Sequence, residues 1–248
     1  MQLHQFFKDN PRIAVAFSGG VDSSYLLYAA KSAGCDVKAY FIKSQFQPRT
    51  ELDDAIRVAG RLGIALSVEA LNALGDMNVA ANMQDRCYHC KKQMLNKLRE
   101  LARADGIDVL CDGTNADDDE SDRAGMRALR EQNVISPLRE SGLTKAEIRR
   151  LAKEAGLFTH DKPSYACLAT RIPTGLRISN ELLYKIEHAE ESLFNMGFTG
   201  YRVRFISPDV AKIQLPAAQL EKALEKRAEI LMAMRPDFNN VVLDLESR

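Results

Sequence analysis

The sequence predicts an α/β protein in which a parallel sheet with helices on both faces is followed by a small α+β module. Short apolar runs alternate with segments of helical periodicity from residue 13 to residue 155. Glycines and capping pairs punctuate the junctions between them. After residue 160 the texture changes to an irregular stretch rich in Pro, Gly, Thr and Arg, which marks a boundary.

Ile13 to Phe17 is an apolar run that ends in Ser18-Gly19-Gly20, and Leu26, Leu27, Ala29 and Ala30 then suit a buried helix face, so the segment reads strand, loop, helix. Val37 to Lys43 is a second strand. Thr50 and Asp53 have the spacing of a capping box, and Leu52, Ala55, Ile56, Ala59 and Leu62 recur at helical spacing until Gly63. Ile64 to Val68 is the third strand. Met94, Leu95, Leu98, Leu101 and Ala102 mark a helix, and Ile107 to Cys111 is a strand running into Asp112-Gly113. Val134 to Ser136 reads as a short fifth strand. Thr144 and Glu147 cap a helix carrying Ile148, Leu151, Ala152 and Ala155 before Gly156. Beyond the loop His160 to Arg177, Ser179 begins a helix built on Leu182, Ile186, Ala189 and Leu193. Strands at Tyr201 to Ile206 and Val210 to Leu215, a helix opened by Pro216 and a strand near Val241 to Leu245 complete the module.

The 248 residues are 46% hydrophobic and 27% charged, near the globular average, which argues against a disordered chain or a coiled coil. Thirty-four basic and 34 acidic residues cancel, so no general attraction to nucleic acid or an anionic membrane is expected and any phosphate site must be local. With no signal-peptide h-region and no membrane-length apolar stretch, the expected location is the cytoplasm. Five cysteines without secretory context argue for reduced thiols with metal, redox or catalytic uses. Cys35 and Cys111 lie in apolar settings and read as small buried hydrophobes. Cys87 and Cys90 form C-x-x-C, a spacing that suits a metal, a cluster or a redox pair but supplies only two ligands. Cys167 is the best third candidate, because the neighbouring Arg171 would favour its thiolate.

Ser18-Gly19-Gly20-Val21-Asp22-Ser23-Ser24 lies between the first strand and the first helix of the sheet, where backbone N–H groups make an anion site. It has neither the lysine and spacing of G-x-x-x-x-G-K-[ST] nor the spacing of G-x-G-x-x-G. The motif resembles the pyrophosphate loop of the ATP pyrophosphatase family, which includes GMP, NAD and asparagine synthetases and the tRNA thiolases. The resemblance implies a Rossmann-like domain over residues 1–160 that splits ATP to AMP and pyrophosphate. Ser18, Gly19, Gly20, Asp22, Ser23 and Ser24 would then hold the ATP phosphates, with Asp22 also placed for Mg²⁺. The second nucleotide-facing segment would be Asp112 to Asp118, including Gly113, Asn115 and Asp118, at the carboxyl end of a strand where open parallel sheets bind ligands. Taken alone, that segment reads as a solvated acidic loop.

Arg86-Cys87-Tyr88-His89-Cys90-Lys91, Ser136-Pro137-Leu138 and Pro163 to Pro173 narrow the resemblance to the LarE family, sulfur transferases of nickel-pincer nucleotide biosynthesis. This resemblance covers essentially the whole chain. It implies a pyridinium biscarboxylate mononucleotide as substrate, whose adenylated carboxylates become thiocarboxylates. It also implies a small α+β domain over residues 161–248 for substrate binding and oligomerisation, with hexamers known in the family. Arg202 and Arg204 align with the arginines thought to grip the substrate's phosphate, and at i and i+2 they share one face of a strand. A solvated strand face is the alternative for this pair. In single-cysteine members the thiolate matching Cys167 attacks the adenylate and gives up its own sulfur. The present chain also has Cys87 and Cys90 and resembles the three-cysteine members proposed to bind a [4Fe-4S] cluster, with Cys167 as the third ligand. A zinc at the same cysteines, a tRNA thiolase and a nucleotide-binding regulatory module without turnover are the competing expectations.

Overall fold

The computed structural model describes residues 2–118 and 123–246. The chain divides into two compact units, Met1–Ala73 with Asp85–Lys162, and Leu74–Gln84 with Pro163–Arg248. Along the chain the elements begin with α1 (Leu3–Asp9), β1 (Arg12–Ala16), α2 (Val21–Ser32), β2 (Asp36–Lys43), α3 (Arg49–Leu62) and β3 (Leu66–Ala70). They continue with α4 (Met77–Ala80), α5 (Arg86–Ala104), β4 (Leu110–Cys111), α6 (Arg123–Glu131), α7 (Pro137–Glu140) and α8 (Lys145–Glu154). Of the short acidic run Asp117 to Glu120, residues 119–120 lie outside the described residues.

The first unit is built on a parallel sheet of order β3-β2-β1-β4. Because side chains alternate across a strand, each strand feeds two cores. Ile13, Val15, Val37, Ala39, Phe41 and Cys111 point to one face, where they pack with Leu26, Leu27, Ala55, Val58, Ile148 and Ala152 of α2, α3 and α8. Ala14, Tyr40, Ile42 and Leu110 point to the other, against Leu95, Leu98 and Ala102 of α5 and Leu129 of α6. Burial of each such large aliphatic side chain contributes about 1.5–3 kcal/mol, so the two-sided sheet is the main source of this unit's stability. Cys35 and Cys111 are both buried, as their apolar settings suggest. Burial, the largest cause, raises both thiol pKa values, which keeps these two sulfurs protonated and out of the chemistry.

The structure moves several sequence-based boundaries. The third strand starts at Leu66, not Ile64, because the Ile64 N–H donates to Ala59 O behind the left-handed Gly63 and so finishes α3. Ile107 does the same for α5, donating to Ala102 O behind Gly106, which leaves β4 only two residues long. Beside so short a strand, the expected strand at Val134 to Ser136 reduces to one parallel bridge, Cys111 to Ile135. The Thr50–Asp53 capping box is not formed, since Pro48 is the N-cap of α3 and Thr50 is already inside the helix. The box at Thr144 and Glu147 is present, with both reciprocal hydrogen bonds. The helix α1, which buries Phe6 and Phe7, was not anticipated.

In the second unit α9 (Asn180–Asn195) is followed by β5 (Arg202–Ser207), β6 (Val210–Gln214), α10 (Leu220–Glu225), α11 (Arg227–Met234) and β7 (Asn240–Leu243). Strands β5 and β6 are antiparallel, and β7 joins β6 in parallel. Residues 74–84 belong to this unit. The fully buried Asn82, left-handed at φ 57°, donates from Nδ2 to the carbonyls of Pro173 and Leu176 at 2.8 and 3.0 Å and so clasps that excursion to the loop before α9. No helix among the described residues is long and apolar enough to cross a membrane.

Candidate functional site

The order β3-β2-β1-β4 reverses direction between β1 and β4, and the loops leaving the carboxyl ends of those two strands meet there. Residues Ser18 to Ser24 follow β1. Gly19 takes φ +72°, and a Cβ at that position would lie 2.8 Å from Glu51 O, so only glycine fits. Gly20 is the N-cap of α2 and no side chain caps that end, which leaves its first N–H groups for an anion. Ser18 Oγ and Ser23 Oγ are 3.2 Å apart, and Ser23 Oγ also donates to Gly20 O at 3.3 Å, which draws the loop closed.

The second loop, Asp112 to Asp118, packs directly on the first. A Cβ on Gly113 would lie 2.8 Å from Ser23 N, so this glycine is what allows the two backbones to approach. Asp112 accepts hydrogen bonds from Thr114 and, at 2.7 Å, from Ser136 Oγ of the Ser-Pro-Leu motif. Asp117 accepts from Lys145 N at 2.7 Å. The capping box starts α8 at Lys145, and the Lys145 Nζ reaches Asp22 Oδ2. The other Asp22 oxygen, Oδ1, is buried and has no hydrogen-bond partner. Lys145 was missed from sequence. The capping box located its helix, but nothing in the linear pattern tied it to a residue 123 positions away.

The two loops border a hollow of about 290 Å³. Ser18, Asp22, Ser23, Asp112, Gly113, Thr114 and Asp118 line its polar side, and Lys91, Met94, Leu95 and Leu98 of α5 with Leu129 of α6 line the rest. A polar, N–H-rich wall facing an apolar one suits a nucleotide, with phosphates at α2 and a flat base against the leucines. The remaining expected contacts lie elsewhere. Ser24 is fully buried behind the loop, with its Oγ lacking a partner. Asn115 is buried too, and its side-chain carbonyl accepts from Asp117 N at 2.8 Å. Both therefore shape the loops, and their side chains do not face the hollow.

A carboxylate at the first turn of a helix that is to bind phosphate is repulsive unless a cation bridges the two. The orphaned Asp22 Oδ1 beside the phosphate wall fits that need for Mg²⁺, which favours one or two carboxylates plus phosphate oxygens.

Cys87 and Cys90 sit on the first turn of α5, one exposed and one half-buried, and at i and i+3 they share a face. Cys90 Sγ lies 4.0 Å from Met94 Sδ, so the pair sits one helical turn from the hollow. The pair gathers no third ligand of its own; among the described residues no group of three His, Cys, Asp or Glu is arranged to hold a metal ion.

In the second unit Cys167 is half-buried and precedes a 3-10 turn, Leu168–Arg171. Arg171 is 1% exposed. Its Nε and Nη2 donate to Glu190 at 2.7 and 3.2 Å, and its Nη1 donates to Ala166 O and Thr170 Oγ1. Burial alone would lower its pKa, but the Glu190 hydrogen bonds and charge outweigh that and raise it. The donors of its fork are thus spent on Glu190 and on the loop that carries Cys167. Tyr165 stacks under the guanidinium and donates to the same Glu190. Arg202 and Arg204 share the half-buried face of β5, opposite buried Val203 and Phe205. Arg204 donates to Gln214 and, from Nη1, to Thr170 O at 3.0 Å, which joins this strand face to the same loop.

The asparagine synthase family model matches residues 5–159. An uncharacterized protein of Synechocystis sp. is 35% identical over 98% of this chain and 92% of its own length. The pyridinium-3,5-bisthiocarboxylic acid mononucleotide synthase of Lactiplantibacillus plantarum is 32% identical over 96% of this chain and 87% of its own. A tRNA-specific 2-thiouridylase of Hahella chejuensis is 28% identical, over 62% of this chain and 51% of its own length.

Proposed function

The chain belongs to the asparagine synthase family and, within it, to the LarE type of ATP-dependent sulfur transferase, and from that membership we propose that it converts a pyridinium-3,5-biscarboxylic acid mononucleotide to the thiocarboxylate. The observation that carries the reading is the hollow between the β1 and β4 loops, with the Lys145–Asp22 pair at its phosphate wall and the cysteine pair one turn from its apolar wall.

A substrate carboxylate oxygen bonds to the α-phosphorus of ATP as the bond to the bridging oxygen breaks, and pyrophosphate leaves with the electron pair. A sulfur nucleophile then adds to the acyl carbon, and AMP departs with its oxygen. The N–H groups of α2 hold the phosphates, and the Lys145 ammonium offsets charge on the leaving pyrophosphate. Mg²⁺ held at Asp22 would supply further charge neutralisation at the phosphates. Arg202 and Arg204 hold the phosphate of the mononucleotide.

Sulfur delivery uses Cys87, Cys90 and Cys167. The donor set is three thiolates, two of them one turn apart and accessible, which suits a [4Fe-4S] cluster in chemistry and number. Such a cluster, held by these three cysteines, would supply sulfur without sacrificing a cysteine. The 2-thiouridylase likeness is confined to about three-fifths of the chain, which favours the small carboxylate over tRNA.

The test is product analysis with ATP, Mg²⁺, sulfide and the biscarboxylate mononucleotide under anaerobic conditions. AMP and pyrophosphate formed only when the carboxylate is present support the reading; ADP and phosphate, or carboxylate-independent turnover, oppose it.

A further inference from the structure

Residues three and four apart share a helix face, so α5 presents Cys87, Cys90, Lys91, Met94, Leu95 and Leu98 along one stripe. The last four of these line the nucleotide hollow. Among the described residues that line it, Lys91 is the only cation, and it has no hydrogen bond or ion pair with another described residue. The described carboxylates that line the hollow are already served. Asp22 pairs with Lys145, Asp112 accepts from Thr114 and Ser136, and Asp118 accepts from Asn115 N at 2.8 Å. A half-buried ammonium with no partner among the described residues, in a concave site, suits an anion that arrives with a ligand.

The hollow offers two anions to bind, the ATP phosphates and the substrate carboxylate. The phosphates have their own wall, the uncapped end of α2 with Lys145. Lys91 is on the other wall, in the α5 stripe, next in sequence to Cys90 and one turn before the apolar residues. That is where an acyl group must lie to meet both the α-phosphorus and the incoming sulfur.

We propose that Lys91 binds the substrate carboxylate and sets the specificity for an anionic acyl substrate. The proposal rests on the functional reading above and deepens it. The lysine makes a charge-assisted hydrogen bond to one carboxylate oxygen and reduces the repulsion between that carboxylate and the triphosphate while the other oxygen attacks phosphorus. No proton moves and nothing is oxidised.

The test compares wild type, Lys91→Met and Lys91→Arg by pyrophosphate release, with KM measured separately for ATP and for the biscarboxylate mononucleotide. Loss of one charge-assisted contact corresponds to roughly a 10- to 150-fold change in affinity. Lys91→Met is therefore expected to raise the KM for the mononucleotide by about that factor and to leave the KM for ATP within about threefold, with Lys91→Arg recovering most of the loss. Should Lys91→Met show no turnover, calorimetric titration of each ligand must give the same split, ATP binding retained and mononucleotide binding lost. An unchanged mononucleotide affinity, an equal loss for ATP, or a variant that binds neither ligand overturns the proposal while wild-type AMP formation leaves the functional reading standing. A wild-type protein that forms no AMP overturns both.

Discussion

Lys145 engages one carboxylate oxygen of Asp22 and leaves the other, Oδ1, buried and without a hydrogen-bond partner at the phosphate end of the hollow. The pair joins the first turn of α2 to the first turn of α8, and Asp117 of the second loop holds the Lys145 backbone in place. Three separated stretches of sequence thus converge on one end of the hollow.

Asp22→Asn removes the charge that a metal ion requires while keeping the side-chain shape. AMP formation should fall at least about 100-fold with the melting temperature within a few degrees of wild type, because the group lies in a loop-facing turn. Lys145→Met should lower kcat by a similar order. Steady-state kinetics with a Mg²⁺ titration, run beside thermal melts, checks both; retained Mg²⁺-dependent turnover in Asp22→Asn would remove the metal from this position.

Gly113→Ala places a methyl group 2.8 Å from Ser23 N, a backbone atom that cannot swing aside. The two loops should be forced apart, with a fall of at least about tenfold in kcat/KM for ATP and a modest loss of stability. Wild-type ATP kinetics in this variant would mean that the loop contact does not matter for nucleotide binding.

Glu190→Ala leaves the Arg171 guanidinium buried and unpaired. Breaking a buried ion pair by removing one partner costs about 3–5 kcal/mol, which corresponds to a fall in melting temperature of roughly 6–20 °C. Calorimetry of the variant reads this directly. A change of less than about 2 °C would show that Arg171 does not anchor the Cys167 loop.

Much of this was legible in the sequence, and the reasons differ by residue. The apolar run Ile13 to Phe17 marks β1, and the Thr144–Glu147 box marks the start of α8, because an apolar run and a capping pair are local signals. The strand starts at Ile64 and Ile107 were misplaced for a local reason that composition hides: an apolar residue after a left-handed glycine finishes the helix before it can start a strand. The first loop was legible in its own motif, whereas the second, which taken alone reads as a solvated acidic loop, was legible only through the family resemblance. The ion pairs of Lys145 and Arg171 were not, since each depends on a partner distant in sequence, Asp22 for one and Glu190 for the other.

Arg204→Ala removes a half-buried cation from the β5 face and its tie to Thr170 O. The KM for the mononucleotide should rise roughly 10- to 150-fold with the KM for ATP unchanged, and an analogue lacking the phosphate should be insensitive to the substitution. Equal sensitivity of both substrates would make Arg204 a purely structural tie to the Cys167 loop.

Cys87→Ala and Cys90→Ala separate the two modes of sulfur delivery, which Cys167→Ala cannot do because both modes lose activity with it. With a cluster at all three cysteines, each variant should be inactive and unable to retain stoichiometric iron and sulfide after anaerobic reconstitution, while wild-type Cys167 keeps its mass over several turnovers. Full activity in either variant, or dehydroalanine at Cys167 after one turnover, would make Cys167 itself the donor.

The central claim is that a carboxylate is adenylated and that sulfur then displaces AMP from the acyl carbon. It is tested most directly by labelling the carboxylate oxygens of the mononucleotide with oxygen-18 and analysing both products by mass spectrometry after reaction with ATP and sulfide. Adenylation requires one labelled oxygen in the AMP phosphate for each oxygen replaced by sulfur in the mononucleotide. AMP without label, or label in pyrophosphate, would contradict it.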